Sequence, residues 1–529
     1  MTSAWRSPHV DRRLASGVWP FLVVIVLAVS ALAGCRDASA PRGATPPIRL
    51  AIGYADSRST DLPDAGIATL VSLLANERLV TLGRNGRAEP KLAARWAWST
   101  DGLTWRFFLR PNLKFHDGSR VTASVVAAVL NQFLAQGTTS PTGLSPGARD
   151  IQQVEAVSDR EFIIRLRRPS TLFLEAIAFI PITSDPSLGM NEHSHGTGAF
   201  QLVEHRAGGA TLEAFKDYHD GRPTIDQVDI RLYPNARNAW GALMRGEIDS
   251  LYEVPPEAQD FIEHSSLTQI KSFTRPYVYT LAFSMRHPQL RKTRVRTALN
   301  LAVNRADLLT IALHGRGLPA ADHVWPQHWA YNHAAPRPSF SPTEAGEILD
   351  AEGLVVSTAP GQRTPTRFSF TCLLLAGDTR FERMGLMLQR ELNEIGVDMQ
   401  LEALPLQQLA PRLQSGRFDA FLFELVSGHG FDWVYWFWHS TLTPRWMTTG
   451  YTAADGALDR IRGALTDADM RVAVRDLQQI FREDPPAIFL CWSQTARAVS
   501  TRFNVPSVVE RDIVSTLPRW QLARPAAAQ

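Results

Sequence analysis

Cysteine is nearly absent from this 529-residue chain, which holds only three. Cys372 and Cys491 sit in the apolar runs SFTCLLL and IFLCWS. Such runs read as buried strands, so two inert thiols are expected, and a disulfide between them needs a proximity that sequence does not give. Excess charge is also missing. A formal net charge of +3 is small for this length and gives no electrostatic case for nucleic acid. Beyond the N-terminus no run is long and apolar enough to span a bilayer. The G-x-S-x-G, H-E-x-x-H and P-loop patterns do not occur, and no cofactor is implied. Catalytic triads scatter along a sequence, so this weakens the case for an enzyme without closing it. There is no internal repeat and no low-complexity tract.

What is present begins with Arg6, Arg12 and Arg13, followed by the apolar run VWPFLVVIVLAVSALAG from Val18 to Gly34. A charged start, an apolar stretch and small residues before a cut site make an export signal. An uncleaved anchor is the competing reading, but about 17 residues interrupted by Pro20 is at the short limit for spanning. Leu32-Ala33-Gly34-Cys35 resembles the lipobox of bacterial lipoproteins, which implies a diacylglycerol on the Cys35 thiol and cleavage just before it. More than one acyl chain is enough for stable anchoring. Residues 36–46, rich in Ala, Pro and Gly, read as a flexible tether. Arg36 and Asp37 leave open which membrane, inner or outer, holds the anchor.

The remaining chain exceeds what one core usually supports, so two or three domains are expected. IRLAIGY from Ile48 opens it as a strand. RLVTLGRNGRAEP reads as a hairpin turning at Asn85-Gly86, and TWRFFLRPNLKFHDGS as an extended run ending in a turn at His116-Asp117-Gly118. A helix opened by Thr122 follows over 121–136. Farther on, Ser341-Pro342-Thr343-Glu344 is a capping box. Strands are expected over 368–375, 397–404 and 418–425, then again at AIFLCW. Helices are expected over the face Met384, Leu388, Leu392 and Ile395, stopped by Gly396, over 407–414, and after Thr466 with its core face at Val474, Leu477 and Phe481. Alternating strands and helices argue for α/β architecture.

The order of these segments resembles the solute-binding proteins of bacterial ABC importers, family 5, the oligopeptide, dipeptide and nickel-binding class. Glu89 to Val126 (EPKLAARWAWSTDGLTWRFFLRPNLKFHDGSRVTASVV) is similar to its signature block. GTGAF at Gly196 to Phe200, KDYHDGRPTIDQVDIRLYP, GEIDS, RKTRVRTALNLAVNRADLL, NEIGVDMQLEALP, SGRFDAFLFEL and TDADMRVAVRDLQQIFREDPPAIFL follow in the family's order. The resemblance implies a three-lobed, type II, cluster C periplasmic-binding-protein-like fold, α/β with mixed sheets and a hinge. Lobe I would combine 47–80, 196–275 and 490–529, lobe II would be an insertion over 81–195, and lobe III would cover 276–489. It further implies a periplasmic or cell-surface protein, monomeric and without catalysis. A peptide-like or other small solute would be held between lobes I and III and delivered to a membrane permease. An exported sensor of the same fold without a permease, and more remotely a secreted hydrolase, are the alternatives.

In the peptide-binding members a carboxylate of lobe III pairs with the ligand α-amine, a few residues before an acidic-Pro step. Aligning Asp432 with that acidic residue puts His429 at the amine-binding position and Trp433 in place of the Pro. A neutral imidazole cannot supply the charge a buried ammonium needs. The ring-dense segment after it (Trp433, Tyr435, Trp436, Phe437, Trp438, His439) must mostly fill core, while one or two rings are candidates to stack on ligand. Asp432 is either an amine contact or a helix cap. Thr197 in the Gly-rich loop, Tyr54 and Asp56 after the first strand, and Tyr277 and Tyr279 near the lobe I–III crossover complete the candidate contacts. His193-Ser194-His195 lacks a third ligand and reads as a solvated loop rather than a metal site. Arg291, Arg294 and Arg296 read as a solvated helix face.

Overall fold

The capping and periodicity signals mark real elements. Ser341 caps the helix Pro342–Ala351 by accepting the Glu344 N–H. Thr466 does the same for Asp467–Glu483 through the Asp469 N–H. Phe368–Leu375 and Val397–Leu404 are strands between the expected residues. The helix between them, Thr379–Glu394, buries Met384, Leu388 and Leu392, and Gly396 ends it in the left-handed region at φ 77°. Each fully buried side chain of this kind contributes about 1.5–3 kcal/mol. These spans come from a computed structural model that describes residues 46–55, 65–137, 143–185, 195–357, 365–442, 446–506 and 512–523. Cys35, the tether, Asp56, His193 and Ser194 lie outside the described residues.

Residues from Ile48 to the C-terminus form one compact unit built on a mixed sheet. Among the described residues the sheet has eleven strands. Its order is Val397–Leu404, Phe368–Leu375, Ala420–Val426, Thr268–Phe283, Ala487–Ser500, Ser250–Leu251, Arg49–Ala55, Gln227–Tyr233, Gly209–Ala214 and Phe200–Arg206, with Gly317–Pro319 paired against Ala487–Ser500. A separate antiparallel sheet joins Ala93–Trp98, Thr104–Leu109, Glu161–Leu166 and Ile151–Ser158.

The apolar side chains gather into separate cores. One lies wholly within residues 79–182, where Val126 and Leu130 of the helix Ala123–Gly137 pack on Phe107, Phe162 and Ile164. Leu50, Ile52, Phe200, Ile230 and Trp520 belong to a second, at one end of the large sheet. Two more flank the other end, around Phe421, Trp438 and Leu477 on one face and Leu281, Cys372 and Leu388 on the other.

Two long strands tie the ends of this sheet together. Thr268–Phe283 and Ala487–Ser500 pair along most of their length, with register breaks between Thr274 and Val278 and between Tyr279 and Thr280. Trp492 and Phe489 sit in one terminal core, whereas Val499 sits in the core at the opposite end. The second strand is longer than the apolar run AIFLCW predicts. Its polar half, from Ser493, crosses between cores and so carries no continuous apolar pattern.

One expectation changes in the fold and one holds. Arg296 is 2% exposed rather than solvated, because its guanidinium donates to the carbonyls of Pro485 and Leu290 and pairs with Asp484. Cys372 and Cys491 are both buried and free, and burial pushes both thiols up from their ordinary pKa.

Candidate ligand-binding site

The strands Phe368–Leu375 and Ala420–Val426 run parallel. In open α/β sheets a ligand crevice forms beyond the carboxyl ends of such strands. Here a cavity of about 380 Å³ occupies that place. Leu375, Asp378 and Arg380 reach it from the first strand and its following helix, and Phe423 to Val426 from the second. Tyr277, at the register break of the crossing strand, forms part of the wall.

The short helix Asp432–Trp438 supplies the aromatic side of the cavity through Trp433, Trp436 and Phe437. Its faces divide by helical geometry. Val434, Tyr435 and Trp438 turn into the core, where the Trp438 Nε1–H donates to His323 Nδ1 at 2.7 Å. Burial holds that imidazole neutral, with its pKa lowered to about 3. Trp433 and Trp436 stay half-buried and stack on one another at 5.1 Å, 19° apart. Trp446 closes the wall against Phe423, with ring centroids at 5.1 Å.

Two ion pairs stand at the polar edge. Asp378 caps the helix Thr379–Glu394 by accepting the Arg380 N–H, and it also takes the Arg380 guanidinium at 2.7 Å. Glu424 lies 3.5 Å from Arg275, whose guanidinium covers the Tyr277 ring at 4.1 Å. The lining thus holds one cation, Arg380, and two carboxylates, Asp378 and Glu424, the second of them paired with Arg275 from outside the lining.

The sequence candidates separate in space. Trp433, Trp436 and Tyr277 line the cavity together. Tyr279 is 2% exposed and packs on Phe381 in the core. His429 does not line the cavity; its ring meets Trp325 edge-on at 5.4 Å. Thr197 is 1% exposed, held in a loop whose flanking Gly196 and Gly198 press on the backbone of Leu74 and Ala75, where a Cβ would overlap carbonyl oxygens. Tyr54 belongs to a different cluster, 6.0 Å from Tyr252, over which Arg497 stacks at 3.8 Å.

Asp432 is 2% exposed and does not line the cavity. Its carboxylate accepts the Gly147 N–H at 2.7 Å, at the start of the helix Pro146–Asp150. Glu175 answers from the 81–195 segment by accepting the N–H groups of Phe431 and Asp432 at 2.7 and 2.8 Å. Each carboxylate therefore caps a helix on the other's side of the contact. Burial and the neighbouring Asp432 charge push Glu175 up to about 8, and burial pushes Asp432 up to about 6.

Asp378, Arg380, Glu424, Arg275 and Trp446 escaped the sequence reading. Two signals pointed to some of them: the polar turn GDTR directly after an apolar parallel strand holds Asp378 and Arg380, and Glu424 is the second of two acidic residues in FDAFLFEL. Among the described residues, no group of three or more His, Cys, Asp or Glu side chains is placed to hold a metal ion, and no helix is long and apolar enough to cross a membrane.

Comparison with known proteins gives this geometry a family. The family model described as the middle region of the bacterial extracellular solute-binding proteins, family 5, matches residues 87–446. The oligopeptide-binding protein AppA of Bacillus subtilis is 23% identical over 450 residues, covering 80% of this chain and 81% of its own. The glutathione-binding protein GsiB of Escherichia coli is 24% identical over 407 residues, 74% of this chain and 75% of its own. In three dimensions the ABC transporter substrate-binding protein CtaP of Listeria monocytogenes superposes with a TM-score of 0.76 at 20% identity, over 90% of this chain and 99% of that one. The fold is the mixed-sheet α/β, type II binding-protein fold of these neighbours. Two-thirds of the sequence lies within one family model, and this chain accordingly belongs to the bacterial extracellular solute-binding proteins of family 5.

Proposed function

We propose that this protein is the lipid-anchored receptor of an ABC importer, which closes on a small solute at the aromatic cavity and hands it to a membrane permease without chemically changing it. One observation carries the reading. The cavity sits at the carboxyl ends of two parallel strands and touches the register break of a strand that runs between separate cores. A break in strand pairing is a place where one core can rotate against another, and closure of that kind buries a ligand. The proposed lobe boundaries at 275/276 and 489/490 fall inside the two long strands, so both crossings are hinge candidates.

The rings of Trp433 and Trp436 are proposed to form the ligand-facing wall, with Tyr277 beside them. Tyr54, on the 47–80 segment, would meet the solute only on closure. The lipid on Cys35 would keep the receptor beside its permease and raise its effective concentration there. The printed ligands of two relatives, oligopeptides and glutathione, support a small polar or peptide-like solute.

The experiment is ligand-dependent compaction in small-angle scattering, paired with thermal melts, using solute recovered from protein purified from its host. A solute at a hundred times its Kd should stabilise the fold by about 2.7 kcal/mol. Turnover of that solute by the purified protein, or stabilisation with no compaction, would count against the receptor reading.

A further inference from the structure

The walls of the cavity restrict what can enter it. Its lining is dominated by rings: Trp433, Trp436, Phe437, Trp446, Phe423 and Phe381. Several are parallel or nearly so, with Trp433 on Trp436 at 19° and Phe381 on Phe423 at 13°. Flat faces of this kind favour a flat guest. The charges at the edge already balance. Arg380 is held by Asp378 and Arg275 lies beside Glu424, so a guest with a net charge would find no free counter-charge and would lose its water on entry.

Two buried polar atoms on the lining residues have no hydrogen-bond partner. Glu424 Oε1 accepts no hydrogen bond, although it is an ionic neighbour of Arg275 at 3.5 Å. Trp436 Nε1–H donates none. Buried polar groups are nearly always satisfied, and those that are not point to a missing partner. One atom needs a donor and the other an acceptor.

We propose that the cavity takes an uncharged, planar heteroaromatic group carrying a hydrogen-bond donor for Glu424 and an acceptor for Trp436 at its edge. The inference rests on the receptor reading and narrows it to a ligand class. It excludes two guests that an aromatic cavity beside carboxylates and guanidiniums would otherwise invite. An ammonium would sit near Arg380, and both lining carboxylates already have a cationic partner. A carboxylate would sit near Glu424 and Asp378. A neutral ring with both a donor and an acceptor meets neither repulsion and satisfies both orphaned atoms.

The test uses three probes with one ring and three charges: indole-3-acetamide, indole-3-acetate and tryptamine, titrated calorimetrically into the full chain at pH 7. Cyclohexylacetamide serves as the non-planar control. The amide should bind roughly tenfold or more tighter than the acid, the amine or the cyclohexyl analogue. Trp436→Phe keeps the ring and removes the N–H, and should weaken the amide roughly five- to tenfold. Glu424→Gln removes the carboxylate that lines the cavity beside Arg275 and should move the preference toward the acid. The proposal is overturned if the acid or amine binds as tightly as the amide, if the cyclohexyl analogue matches it, if Trp436→Phe has no effect, or if the amide does not bind at millimolar concentration. Failure of the receptor reading looks different. A host solute that compacts the protein but lacks such a ring removes the ligand class and leaves the receptor intact, whereas compaction by no solute removes both.

Discussion

Glu175 accepts the backbone N–H of Asp432 at 2.8 Å, across 257 residues of sequence. The bond caps the helix that presents Trp433 and Trp436, so a side chain far away in sequence sets the position of the cavity's aromatic wall. Gly430 is part of the same contact, since a Cβ there would overlap the Glu175 carboxylate. Glu175→Ala leaves two buried N–H groups without acceptors and should cost about 1–3 kcal/mol. Gly430→Ala should destabilise by a similar amount. Chemical denaturation checks both, and a loss below about 0.5 kcal/mol in each would show that the cap is dispensable.

The same pair predicts a pH dependence. Glu175 and Asp432 titrate at about 8 and about 6 in the fold, against about 4 in an unfolded chain. The folded state therefore binds more protons between pH 4 and 8, and the contribution of these groups falls as pH rises through that window. His323 and His328 act in the opposite sense. Both are lowered to about 3, so their contribution is present above about 6.5 and fades as pH falls. Stability should peak in mild acid between the two effects. Glu175→Gln should gain on the wild type in melting temperature between pH 6 and pH 9, and a constant difference would refute the buried pair.

Peptides with a free α-amine are expected to bind poorly. His429, which the family resemblance sets at the amine-binding position, carries no carboxylate and packs its ring on Trp325, and Asp432 is engaged by Gly147. Calorimetry with trialanine and its N-acetyl derivative tests this. Micromolar binding of the first that disappears on acetylation would contradict it.

Trp433→Ala and Trp436→Ala should each weaken the native solute by about tenfold or more. Because both rings are half-buried, they should cost less stability than truncating the fully buried Trp438. Unchanged affinity in both variants would remove these rings from the ligand wall.

Cys35→Ser should release the protein from the membrane fraction. Mass spectrometry of the wild-type N-terminal fragment should show a diacylglycerol adduct on Cys35. An unmodified Cys35 on a membrane-bound protein would favour an uncleaved anchor instead.

Local chemistry was readable from the chain alone. Ser341 and Thr466 announce their helices because a cap acts within three residues, and Gly396 ends its helix because few other residues tolerate that backbone. Apolar parallel strands such as Phe368–Leu375 declare themselves by composition. The ring-dense segment was visible too, and helical periodicity then turned Trp433 and Trp436 one way and Tyr435 and Trp438 the other. What sequence left undecided was every pairing between distant segments. Asp432 is adjacent to Trp433 yet caps the helix at Gly147, because its environment is set by an element nearly three hundred residues earlier. Arg296 looks solvated on its own helix and is buried by Pro485 and Asp484. Glu424 reads as one acid in an apolar strand until Arg275 arrives from the crossing strand. Short-range hydrogen bonding and periodicity determine elements, whereas burial and charge pairing depend on which elements meet, and only the tertiary structure decides that.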